Sequence, residues 1–292
     1  MVKPNTTETD ASLSPEGEVL LPDHCIISAT GEAGVKLLQG QCTGDFNQLA
    51  SGKSVLAAHC TPKGRMLSSF VAARISDDVI GLRVHKSIAE QAVAALAKYA
   101  VFFKVKLAVN DMAITCQQVA NGEADAGTFA KSDAGISLYH SQGLIETWHT
   151  GAPSMAVANA NFWEYQQITR GLAEVTAATY EQHLPQAFNY DLVDGINFKK
   201  GCYTGQEIIA RVHYKGQSKQ RLHCLVSNEP ATIDQTVVDS NGKARGDVVR
   251  VANWQGQFWL LATTNAYDGD ETLMLENSQQ PLTREALPYA IP

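Results

Sequence analysis

Two strand-like runs, 69–75 and 79–84, are separated only by Ser76, Asp77 and Asp78. A connection that short joins neighbouring strands only if they run antiparallel, because a parallel pair needs a crossover of about a dozen residues or more. The surrounding sequence repeats the theme. Residues 25–29 and 54–60 read as strands, and Pro62 and Gly64 reverse the chain before Arg65. Thr30-Gly31-Glu32 opens a helix through Val35, Leu37 and Leu38 that Gly40 closes. Ser87 caps a second helix, with Ile88, Ala92, Ala95, Leu96 and Tyr99 on one face. Residues 101–109 read as a strand in which Lys104 and Lys106 alternate with apolar residues. Antiparallel strands mixed with helices make an α+β fold and exclude a doubly wound parallel sheet. Neither a G-x-G-x-x-G nor a P-loop pattern occurs, which removes those modes of nucleotide binding.

Further along, 114–119, 136–139 and 144–148 read as strands, with a polar loop expected over 121–133. Residues 162–168 read as a helix that turns out at Gly171. Its Trp163 is either a core side chain or an aromatic wall for a flat ligand. A long link, 172–198, is followed by short strands at 222–227, 237–239, 247–251, 258–263 and 272–275, with the hairpin signal Asn241-Gly242 among them. That spacing suggests a small β-barrel or sandwich. The expected organisation is a loose tail (1–18), a first α+β domain (19–110), a second (111–220) and a C-terminal β-barrel (221–292).

The 292 residues carry a net charge of −7, which argues against a general nucleic-acid binder. The N-terminal stretch has no apolar h-region, and no run is apolar enough to span a bilayer, so a cytoplasmic protein without membrane contact is expected. None of the six cysteines forms a C-x-x-C pair, so no zinc or iron–sulfur site of ordinary spacing is written here. Cys25, Cys116 and Cys224 lie in apolar strand-like runs and read as buried thiols.

Cys202 differs. Its segment, Lys199-Lys200-Gly201-Cys202-Tyr203-Thr204-Gly205-Gln206-Glu207, packs two lysines, two glycines and a carboxylate around the thiol. Thr204 and Glu207 fit a capping box ahead of Ile208 and Ile209, which makes Thr204 the expected N-cap of a short helix. A helix N-terminus and nearby lysines both favour a thiolate. Between Lys199 and Arg221 six basic residues face one acid, a local charge of +5. That stretch is either a solvated face or a seat for an anion. The polar loop Gln39-Gly40-Gln41-Cys42-Thr43-Gly44-Asp45 is likewise either a ligand loop or a helix exit.

Residues Lys200 to Glu207 match the K-G-C-[FY]-x-G-Q-E signature of the YgfZ family of folate-binding, tRNA-modification proteins, to which mitochondrial iron–sulfur maturation factors are related. Leu38 to Thr43, Ala57 to Met66 and Lys98 to Val105 resemble that family's first domain in the same order. The resemblance covers the chain from about residue 20 to its end. It implies a fold similar to the aminomethyltransferase of the glycine cleavage system: three domains around a central hole for tetrahydrofolate or a folate derivative, the third a β-barrel. It implies an accessory protein for iron–sulfur and tRNA-modifying enzymes, monomeric, with direct tRNA binding as a weaker expectation. Cys202 would be the working thiol, tuned by Lys200 and Glu207. Trp163, Arg170, Tyr203, Gln206 and His24 would surround the folate. The alternative is a folate-dependent aminomethyl or methyl transferase. Against it, Met66-Leu67-Ser68-Ser69 stands where the transferases carry an Asp-Asp pair. Thr169 stands where they carry the Glu that holds the pterin ring.

Overall fold

The computed structural model describes residues 17–119, 126–153, 156–216, 218–265 and 271–292. The N-terminal half contributes β1 (Glu18–Leu20), β2 (His24–Thr30), α1 (Gly34–Gln41), β3 (Val55–Cys60), β4 (Met66–Arg74), β5 (Val79–His85), α2 (Ala89–Phe103) and β6 (Lys106–Asn110). Next come β7 (Ile114–Gln118), β8 (Thr128–Ser132), β9 (Gly135–Tyr139), β10 (Leu144–His149), β11 (Ala156–Ala158), α3 (Ala160–Thr169) and α4 (Gln206–Lys215). The C-terminal part holds β12 (Gln220–Ser227), β13 (Thr236–Asp239), β14 (Ala244–Trp254), β15 (Gln257–Asn265), β16 (Leu273–Leu275) and β17 (Thr283–Glu285).

These strands form three sheets. The first has the order β3-β4-β5-β2-β6, the second β11-β1-β7-β10-β9-β8 and the third β16-β13-β14-β15-β12-β17. Every pairing is antiparallel except β1 with β11. The third sheet is curled into a half-barrel.

The first sheet is buried on both faces, and the period of two along its strands sorts the side chains. Cys25, Ile27 and Ala29 of β2, Phe70 and Ala72 of β4, and Ile80, Leu82 and Val84 of β5 pack with Leu37, Leu38, Ala92 and Leu96 of α1 and α2. The intervening Ile26, Val71 and Ala73 pack with Val19, Ile114, Leu138 and Trp148 of the second sheet. Each large apolar side chain removed from water contributes roughly 1.5–3 kcal/mol, so two covered faces make this sheet the anchor of the fold. The faces also approach closely. A Cβ at Gly81 would lie 2.6 Å from the Trp148 ring, so only glycine lets that indole lie over β5. The third sheet joins through α3, where Tyr165 stacks on Trp254 with centroids 5.2 Å apart, and Phe162 packs beside them.

Several local expectations change. Residues 101–103 continue α2, and Lys104 ends it in the left-handed conformation (φ 53°), its N–H bonded to the Ala100 and Val101 carbonyls. The alternation of Lys104 and Lys106 mimicked a strand that begins only at Lys106. Ser87 does not cap α2. It sits in a short 3-10 turn, its hydroxyl bonded to His85 Nδ1 at 2.7 Å and accepting from the Ala177 N–H. Thr128–Ser132 is an edge strand rather than loop, and 121–125 of that expected loop lie outside the described residues. Most of the expected tail also lies outside them, and Glu18 already belongs to β1. No described helix is long and apolar enough to cross a membrane.

Candidate functional site: a central cavity beside the Lys-Gly-Cys loop

A cavity of about 890 Å³ opens where the three sheets meet. The first sheet contributes Leu56, Ser69, Phe70 and Arg83, the β9–β10 connection His140 and Ser141, α3 Gln167 and Arg170, and the third sheet Arg250. The link between α3 and α4 adds Glu174, Tyr190, Asn197 and Phe198, the segment before β3 adds Lys53, and the end of α4 adds His213 and Tyr214. Ligand pockets span ~300–1,000 Å³, so this one suits a molecule with more than one ring.

Arg83, Glu174 and Arg250 of the lining belong to a knot of buried charges that extends behind it. Glu174 accepts from His24 Nε2 at 2.8 Å, Arg83 Nη1 at 3.0 Å and Arg250 Nη2 at 2.6 Å. Arg83 Nε also pairs with Glu146 at 2.9 Å, and Glu146 is held by His140 at 3.0 Å and the Trp148 indole N–H at 2.6 Å. Arg250 Nη1 reaches Glu164 at 3.1 Å. Burial by itself pushes both central carboxyls up. The surrounding cations outweigh it, holding Glu146 down to about 2 and Glu174 well below the usual carboxylate range. Arg83 stands on β5, Glu146 on β10 and Arg250 on β14, so the knot ties one strand of each sheet to the cavity wall.

The Lys-Gly-Cys loop docks beside this cavity. Asn197 Oδ1 accepts from the N–H groups of Lys199 and Lys200 at 2.8 and 3.0 Å, and Asn197 N–H donates to the Thr43 carbonyl at 2.9 Å. Lys200 Nζ donates to the carbonyl oxygens of Cys42 (2.7 Å) and Gly44 (2.6 Å). Burial lowers its pKa to about 8. The loop over 39–45 is therefore a cradle for the motif. Thr204 is not the helix cap: its hydroxyl donates to Gln41 Oε1 at 2.8 Å, and Gly205 (φ 84°) takes the N-cap position of α4. A Cβ at Gly205 would meet the Thr61 carbonyl at 2.6 Å, so a bare glycine lets the loop close on the β3–β4 turn. At the far end of α4, His213 stacks on Phe198 at 3.7 Å, and Tyr214 lies edge-on to both rings.

Cys202 is the exposed one of six unpaired cysteines, and the other five are buried. Burial pushes Cys42 and Cys224 up to about 12, which leaves them inert near neutral pH. Glu207 is exposed in the first turn of α4, which Gln206 opens. Tyr203 is buried beneath Lys200, whose Nζ lies 5.1 Å from the ring centroid.

The expected folate-contacting residues divide. Arg170 lines the cavity and pins the β9–β10 connection to α3, donating to the Ser141 carbonyl at 3.2 and 3.0 Å. Trp163, 1 % exposed, stands one layer back. Its ring carries the Arg83 guanidinium 5.3 Å from its centroid and meets His24 and His140 edge-on. His24 is likewise behind the wall, on Glu174. Tyr203, Gln206 and Cys202 lie outside the lining, which Lys199 joins to their loop. The Thr169 hydroxyl bonds back to the Tyr165 and Gln166 carbonyls. Reading the sequence missed Arg83, Glu146, Gln167 and Arg250. For three of them a signal was present, a charge inside an otherwise apolar strand.

No family model matches the chain. It is similar to an uncharacterized protein of Haemophilus influenzae, 32 % identical over 94 % of this chain and 98 % of the relative. It is also similar to the tRNA-modifying protein YgfZ of Vibrio vulnificus, 32 % identical over 95 % and 94 % of the two chains. The tRNA-modifying protein YgfZ of Escherichia coli O157:H7 is 29 % identical over 99 % and 98 %. Among solved structures, the glycine cleavage system aminomethyltransferase T of Bartonella henselae shares the fold. The TM-score is 0.71 at 13 % identity, over 93 % of this chain and 85 % of that one.

Proposed function

The chain belongs to the YgfZ family of tRNA-modifying proteins, and from that premise we propose that it is a tetrahydrofolate-binding accessory protein that supports iron–sulfur and tRNA-modifying enzymes, with Cys202 as its working thiol. One observation carries the reading. The cavity is of pterin-plus-ring size, and the buried Gln167 amide that lines it has an Nε2 with no partner. An unmet buried donor costs about 1–3 kcal/mol, and a ligand acceptor would remove that cost. The residues fit a folate. Gln167 Nε2 offers a donor to the pterin edge, the half-buried Phe198 a ring, and the exposed Lys53 and Lys199 on the lining suit its glutamate carboxylates. Bound tetrahydrofolate would supply a one-carbon carrier. The protein's part is to orient it and to hold Cys202 in solvent on the adjoining loop.

A transferase reading finds less support. Glu174 on the lining has both oxygens engaged, and Asp191 is held by the Arg221 fork at 2.6 and 2.9 Å. Ser69, in the segment that replaces the Asp pair, accepts from the Val175 N–H at 2.8 Å. No free buried carboxylate faces the cavity from these positions to polarise a substrate amine.

Calorimetric titration with tetrahydrofolate tests the proposal. Saturable binding to the wild type is expected, weakened on the order of tenfold in Gln167→Leu, about 1.4 kcal/mol. Heat no greater than dilution for the wild type would remove folate from the account. Full complementation of a deletion strain by Cys202→Ala would remove the thiol.

A further inference from the structure

The Lys98 to Val105 stretch, singled out in the sequence, takes no part in the central cavity. It ends α2 with two large apolar side chains in solvent, Val101 (68 % exposed) and Phe102 (83 % exposed). Val101 lines a shallow groove of about 410 Å³ between α2 and β6, together with Ala100, Leu107, Lys104 and Lys106. No carboxylate lines it. β6 is the last strand of the first sheet: it pairs with β2 on one side, and among the described residues nothing pairs with its other edge. An unpaired edge presents a row of main-chain donors and acceptors that a native protein shields or uses.

We propose that the free edge of β6 and the adjoining groove form a docking site for an extended acidic segment of a partner protein, added as a further strand. Strand addition takes its affinity from main-chain hydrogen bonds and its specificity from alternate side chains. Here those side chains meet an apolar floor on one side and two lysines on the other, in a chain whose net charge is −7. Alternating apolar and acidic residues satisfy both. A second copy of this chain is disfavoured, because an exposed edge lysine discourages such self-pairing.

The test is fluorescence anisotropy of the full chain with a labelled ten-residue peptide of alternating valine and glutamate. Saturable binding is expected. It should weaken on the order of tenfold in the double variant Lys104→Glu/Lys106→Glu and in Val101→Ser. The Gln167→Leu variant should bind the peptide as the wild type does, which separates this site from the cavity. All three changed surface side chains are exposed, so unchanged melting temperatures are expected and exclude misfolding as the cause. No saturable binding by the wild type, equal binding of a valine–lysine peptide, or full binding by the double charge variant would each overturn the proposal. So would a wild-type dimer in sedimentation that Val101→Ser dissolves, because it would assign the edge to a second copy.

Discussion

The ammonium of Lys200 lies 2.7 Å from the carbonyl oxygen of Cys42, a residue 158 positions earlier in the chain. The lysine of the Lys-Gly-Cys motif thus fastens its loop to the exit of α1, with the Gly44 carbonyl as second acceptor. Its contribution to Cys202 is placement of the loop that presents the thiol.

Replacing Lys200 with methionine leaves both carbonyls without their donor. We expect a loss of roughly 1–3 kcal/mol in urea unfolding. A faster hydrogen exchange confined to 39–45 and 197–205 should accompany it. Unchanged stability together with unchanged exchange would show that the cradle holds without the lysine.

The charge knot sets an acid limit. Glu146 has its folded pKa lowered from 4.5 to about 2, so it binds a proton more readily in the unfolded chain. Its stabilising contribution is therefore complete above about pH 5 and is lost as the pH falls towards 2. The lowering corresponds to roughly 3 kcal/mol at neutral pH. Glu174 acts in the same direction. Glu146→Gln should be less stable than the wild type at pH 7 and show a shallower decline between pH 5 and 3. Parallel declines for the two proteins would place the acid sensitivity elsewhere.

Thiol accessibility separates Cys202 from its five buried counterparts. Labelling of the native protein with a thiol-specific reagent should modify one cysteine quickly, identified as Cys202 by peptide mass. In Cys202→Ala the fast phase should vanish with the melting temperature unchanged. Two or more fast-reacting thiols in the wild type would contradict the burial described.

Much of the fold was legible because local rules and tertiary structure agreed. The 76–78 turn gives β4 and β5, and Asn241-Gly242 gives the turn between β13 and β14, where Gly242 takes φ 75°. The disagreements have local causes. Lys104 and Lys106 alternate as they would in a strand, yet a helix ended by a left-handed lysine explains the same spacing. Thr204 and Glu207 match a capping box, but the Thr204 hydroxyl found a better partner in Gln41, on a distant helix. Trp163 matches an aromatic wall in type, while its place behind Arg83 depends on which strand covers it.

By itself the sequence determined the antiparallel α+β class, the family through the motif at Lys200 to Glu207, and Cys202 as the thiol set apart from the other five. These follow from short-range geometry: turn length, side-chain period and the company a cysteine keeps. Only the tertiary structure decided that Arg83, Glu146, Glu174 and Arg250 meet at one cavity wall, and that the loop over 39–45 serves the motif. Such contacts join residues up to 163 positions apart. Buried charges need several partners at once, and no local pattern specifies which strands will bring those partners together.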